Sequence, residues 1–159
     1  MITCMKKIDE LLEWPRDIAE MIGAPLLLLS FRLYVGWVFL KSGIGRFQDF
    51  INGSWDTQLF LFEMEHPVPF LSANIAAPVT TFFELFLPVL LISGVFGRFA
   101  AAGLLVMTLV IEFTYNHNPD ILIRSEHLVW ASMLAVIFVA GAGKLSIDHF
   151  FVKWLRNKT

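Results

Sequence analysis

Residues 74–98 read NIAAPVTTFFELFLPVLLISGVFGR, an apolar run that carries a single acid, Glu84, near its middle. Crossing a bilayer takes about 20 predominantly apolar residues in a helix, and this run supplies them. A carboxylate at membrane depth is costly unless it is protonated, paired or facing water, so such a residue points by default to function, and its partner has to be found.

The rest of the chain agrees with a membrane setting. Of 159 residues 57% are hydrophobic and only 16% charged, with a mean hydropathy of +0.67, values that suit an integral membrane protein of one domain rather than a soluble one. No basic stripe suggests a nucleic-acid partner. Cys4 stands alone, which excludes a disulfide framework and an internal dithiol couple. The first apolar run, from residue 24, is too long for a signal-peptide core, contains Arg32 and lacks a small-x-small cleavage site, so it is expected to stay as a span.

The expected architecture is all-α: a four-helix transmembrane bundle over residues 24–159, with spans near 24–45, 74–96, 99–115 and 126–143. Residues 1–23 place Ile8, Leu11, Leu12, Ile18, Met21 and Ile22 at near-helical spacing among charges, the pattern of an amphipathic helix lying on the membrane surface and divided at Pro15. Between spans one and two, FQDFINGSWD and TQLFLFEMEHPVPFLS are too apolar for a solvated loop. The second piece reads as an interfacial or re-entrant helix ended by His66, Pro67 and Pro69, more a hydrophobic plug than a lid. Lys and Arg gather on the side of the two termini, with Arg46 and Arg124 assigned to the other side, so both ends are expected in the cytoplasm and the protein in a bacterial inner membrane.

Within span one, Arg32 shares a face with Gly36, Phe39 and Gly43, a small-residue stripe that lets helices approach closely. Lys41 is half a turn away, on the face of Tyr34, Trp37 and Gly45. In span two, Ala73, Ala77, Thr80, Thr81, Glu84 and Pro88 form one inward face, and Pro88 deprives the Glu84 carbonyl of its usual donor. Span three repeats the pattern with Ala101, Thr108 and Glu112. Ser125 is a candidate N-cap of span four, with Glu126 in the first turn, where an acid suits the helix dipole.

Counted in residues from the terminal side, Arg32 and Glu84 differ in depth by about 6 Å, which an arginine can reach. The expected site is therefore a pair of Arg32 and Glu84, with Glu112 and Lys41 or His117 above it in a polar column. Glu84, Arg32 and Glu112 are the candidate catalytic groups; Arg32, Lys41, Glu84, His117 and Glu126 are the candidate ligand-binding groups. The competing structural reading is that these charges fix helix register. His66, His117, His127 and His149 are scattered without metal-ligand spacing, so no metal site is expected. GAGK at residues 141–144 lacks the spacing of a phosphate loop.

Three stretches together, RLYVGWVFLKSGIGRFQDF, PVPFLSANIAAPVTTFFELFLPVLLISGVFGRFAA and GAGKLSIDHF, resemble the DoxX family of small four-helix bacterial membrane proteins. The likeness covers nearly all of the chain after residue 30. Its most specific parts are Arg32 followed by Gly36, the spacing of Glu84, Gly94 and Arg98, and Gly141, Gly143, Lys144, Ser146 and Asp148 near the end. Relatives include the membrane subunit of a thiosulfate:quinone oxidoreductase. The resemblance implies a membrane component of an oxidoreductase system, connected with sulfur or thiol redox chemistry or with quinone. A quinone carbonyl would take a donor such as Arg32, and its reduction would take protons from a carboxylate. Electrons would come from soluble redox partners on the cytoplasmic side, because the chain has no haem, flavin or iron–sulfur signature. The alternatives are a non-catalytic scaffold docking such partners, or a carrier of a small solute.

Overall fold

The structure is a computed structural model that describes residues 13–64, 68, 70–114 and 121–158, with only the backbone for 121–125. Most of the expected surface helix, together with His66, Pro67, Pro69 and His117, lies outside the described residues. What is described is helical: α1 (Ala24–Ile51), α2 (Trp55–Met64), α3 (Ala73–Ser93), α4 (Gly97–Thr114), α5 (Ile121–Ala140) and α6 (Ile147–Arg156). The stretch Glu13–Ile51 and helices α3 and α4 are each long and apolar enough to cross a membrane, and α5 is apolar over Glu126–Ala140. The chain is a multi-pass membrane protein in a lipid bilayer.

Several boundaries differ from expectation. Residues 13–23 are neither divided at Pro15 nor separate from span one; they run into α1 as one helix of 39 residues, through a π turn at Ala19–Gly23 in which Ala24 N–H bonds to the Ala19 carbonyl. Pro25 lies just beyond. Having no N–H, it has no donor for the ordinary bond to Met21, and a widened turn takes the ladder past that gap. At its other end α1 continues six residues past Gly45, to Ile51. Helix α5 starts at Ile121, upstream of the expected cap at Ser125.

Large apolar side chains such as Trp37, Phe82, Phe86, Val89 and Phe138 face outward, as lipid-facing surfaces require. The interior is tighter: Val35, Phe39, Leu87, Leu91, Leu104, Leu134 and Ile137 form the core. Helix α3 packs between α1 and α4, and α5 closes the bundle against α4 and α1. The expected small-residue face of α1 is the one that touches α3, and Arg32, Gly36, Phe39 and Gly43 are all buried. A Cβ on Gly36 would come 2.6 Å from the Ile92 side chain, and one on Gly43 would come 2.9 Å from the Glu84 backbone. These two contacts fix the register of α1 on α3.

The end of the bundle carrying the start of α1, the α3 to α4 turn and the end of α5 is closed by polar clamps. Arg32, 1% exposed, donates from Nε to the Leu91 carbonyl (2.8 Å) and from Nη2 to Ile92 (2.7 Å). Its Nη1 donates to the carbonyls of Ala142 (2.7 Å) and Leu145 (2.9 Å). The last carbonyls of a helix have no partners inside it and carry the negative end of the helix dipole, so a guanidinium there satisfies both demands. Gly94 ends α3 with φ +75°, and a Cβ on it would lie 2.6 Å from both Arg32 Nη2 and Ser146 Cβ. Asp148 accepts from Phe96 N–H (3.2 Å) and Gly97 N–H (3.3 Å) at the start of α4, and Ser146 caps α6 by accepting from His149 N–H. The glycines, serine and aspartate of GAGKLSIDHF thus tie the end of the bundle together.

Candidate functional site

Away from that closed end, the helices part around a cavity of about 490 Å³. Its walls are mostly apolar, with Val38 and Phe39 from α1, Val79 and Phe83 from α3, and Val106, Met107, Val110 and Ile111 from α4. Helix α2 covers it. Phe62, 4% exposed, lies on the alanine face of α3 formed by Ala73, Ala76 and Ala77, and Val68 and Leu71 continue the cover. Gln58 holds α2 to the end of α1 through a 2.7 Å bond to Asp49. The apolar connection therefore forms one wall of a chamber.

Glu84 lines this cavity, 2% exposed, and its partner is Arg46: Nη1 of Arg46 lies 2.7 Å from Oε2 of Glu84. Among the described residues neither of those two atoms has a further hydrogen-bond partner. The Ser42 hydroxyl, one turn before Arg46 on α1, also faces Glu84. The Phe62 ring lies 5.1 Å from the Arg46 guanidinium carbon, a cation–π distance. Across the bundle, His127 on α5 lines the cavity beside Trp130. Its Nδ1 is 3.3 Å from Oε2 of Glu112 on α4.

The expected pair of Arg32 and Glu84 does not form. The register of α1 on α3 sets Gly43, not Arg32, against Glu84. Arg32 is eleven residues earlier, roughly 16 Å along the axis and beyond the reach of one side chain. Arg32 is a buried structural clamp. Lys41 is exposed on the outer face of α1 and Glu126 is exposed on α5, so neither enters the cavity. Glu112 reaches the site through His127 rather than by lining it. Of the expected site residues, Glu84 alone is a cavity-lining group among those described.

Arg46, Ser42 and His127 were missed. Arg46 continues the buried face of α1, three residues after Gly43, and extending the periodicity by one turn would have found it. Ending the span at Gly45 put it outside instead. His127 falls inside the expected fourth span but was weighed only as a metal ligand, and the histidines lack metal-ligand spacing. Among the described residues no three His, Cys, Asp or Glu side chains gather to hold a metal ion.

The DoxX family model matches residues 27–117, more than half of the chain. This is a membrane protein of the DoxX family. An uncharacterised protein of Haemophilus influenzae is 29% identical over 146 residues, covering 87% of this chain and 91% of that protein. No solved structure matches the chain.

Proposed function

We propose that the chain is the membrane component of an oxidoreductase system and that its cavity takes a quinone headgroup. The observation that carries this reading is an apolar chamber of about 490 Å³ with a guanidinium and a carboxylate paired on its wall. Ligand sites combine apolar walls with a few placed polar groups in this way. Arg46 would donate to a quinone carbonyl, and Glu84, after taking up a proton from water as its ion pair with Arg46 opens, would pass that proton on as the oxygen gains charge. Reducing a quinone to a quinol takes two electrons and two protons. In this reading the electrons come from a reduced sulfur compound oxidised on a soluble partner, and Glu84 passes one of the protons.

The partner would dock at the closed end, where Arg16, Arg98, Lys144, Lys153, Arg156 and Lys158 gather. In this reading that excess supports a closed end in the cytoplasm of a bacterium and a cavity toward the outer half of its inner membrane. A scaffold role is the second reading. It draws on α6, whose Phe150, Phe151 and Trp154 are exposed beside Lys153 and Arg156.

The two readings part on a titration with decyl-benzoquinone in lipid nanodiscs. The quinone reading expects binding that weakens about tenfold or more in Arg46→Gln, the scale of one hydrogen bond to a charged group, and that is unchanged in Lys41→Gln. A well-folded protein that binds no quinone, while removal of α6 abolishes capture of a soluble partner, would favour the scaffold.

A further inference from the structure

Helices α3 and α4 are antiparallel neighbours joined by the short turn after Ser93, and their contact is not uniform along their length. Near the closed end they are tightly packed: a Cβ on Gly103 would come 2.6 Å from Leu87 Cδ1. One to two turns farther from that end, Phe83 and Val79 on α3 and Val106, Met107 and Val110 on α4 line the cavity. Several of these wall residues also form outer surface. Val106 is 60% exposed, Val79 42% and Phe83 38%, more than side chains enclosed in a bundle would show. By position they belong to the spans. Counted from the end away from the closed one, Val79 lies six residues after the start of α3 and Val106 eight residues before the end of α4, depths of roughly 9 and 12 Å at ~1.5 Å per residue. An opening at that level meets acyl chains rather than water.

We propose that the cavity opens sideways into the bilayer through the seam between α3 and α4, with Val79, Phe83 and Val106 as its rim. Its occupant enters from the membrane as an amphiphile. The hydrogen-bonding head goes to Arg46 and Glu84, and an apolar chain stays in the seam among Val106, Met107 and Val79. Val79, Phe83 and Val106 are apolar, with Thr80 next to Val79 as a polar side chain on the cavity wall, so the opening offers little to a hydrated solute. The charged pair inside offers nothing to a pure hydrocarbon. A molecule with both parts fits both. The route rests on the proposed function only for the identity of the head, and an acyl chain is a probe of the seam without it.

Trp130 lines the cavity and reports on what enters. In nanodiscs of phospholipid brominated along the acyl chains, a protein with its other four tryptophans changed to Phe should show Trp130 emission quenched by bromine. Narrowing the rim with Val79→Phe and Val106→Phe should cut that quenching at least twofold and slow decyl-benzoquinone association about tenfold. Widening it with Val79→Ala and Val106→Ala should raise the quenching. Helical circular dichroism and monodispersity verify that both variants are folded. Trp130 quenching that is absent, or equal in the narrowed, widened and parent proteins, would overturn the lateral route. Quenching that follows rim size without any quinone binding would support the seam and overturn the quinone reading.

Discussion

Two arginines on one face of α1 have opposite surroundings, and their difference decides what each can do. Arg32 spends its donors on four backbone carbonyls of other segments, which leaves it little to offer a ligand. Replacing it with Gln should strand buried carbonyls and cost about 3 kcal/mol or more, given that an unsatisfied buried polar group costs roughly 1–3 kcal/mol. Thermal unfolding in detergent would register that as a large fall in Tm. Arg46 has an ion pair and an aromatic ring but lies at a cavity wall. A buried ion pair is weak evidence for stability, because apolar residues of similar volume often replace one without loss. The double variant Arg46→Met with Glu84→Leu should therefore keep the Tm of the parent and lose quinone binding. If the pair only fixes helix register, that variant would instead unfold early or give a mixture of oligomers on size-exclusion chromatography.

At the scale of helices, the register of α1 on α3 governs which charges meet, and two glycines set it. The added methyl of Gly36→Ala would press on Cγ1 of Ile92, whereas that of Gly43→Ala would press on the Glu84 backbone. The first change should be the milder, because a side chain can turn aside and a backbone cannot. The second should cost about 1–3 kcal/mol, the usual penalty of overpacking, and should separate Arg46 from Glu84; comparing the two by thermal unfolding and by quinone titration tests both parts. The face of Arg32, Gly36, Phe39 and Gly43 was legible in the sequence because helical periodicity and small residues are local signals. Its continuation to Arg46 was not, because a span was ended at the thickness of the hydrocarbon core whereas α1 runs on to Ile51. Counting depth from assumed span ends brought Arg32 level with Glu84. Only the packing of α1 on α3 reveals the offset, and packing is not a local property. His127 lies within the expected fourth span, but nothing local in the sequence says that this helix turns it, 7% exposed, toward the cavity.

Taken whole, the molecule has one end built for closure and one half built around a space. Arg32, Gly94, Ser146 and Asp148, four of the residues on which the resemblance rests, serve the closed end, where caps and clamps satisfy helix termini. Ser42 and Arg46 lie within the first stretch that carries the resemblance, yet the likeness does not say which of its residues reach the cavity, and His127 lies outside all three stretches. In the proposed function ligand chemistry belongs to Arg46 and Glu84, whereas Arg32 holds the fold. The sharpest check is an equilibrium titration of decyl-benzoquinone into nanodisc-embedded protein, with Arg46→Gln compared against the parent at matched helical content. The expected result is a Kd raised about tenfold or more, the loss of one charge-assisted hydrogen bond; an unchanged Kd in a folded Arg46→Gln protein would refute the proposal.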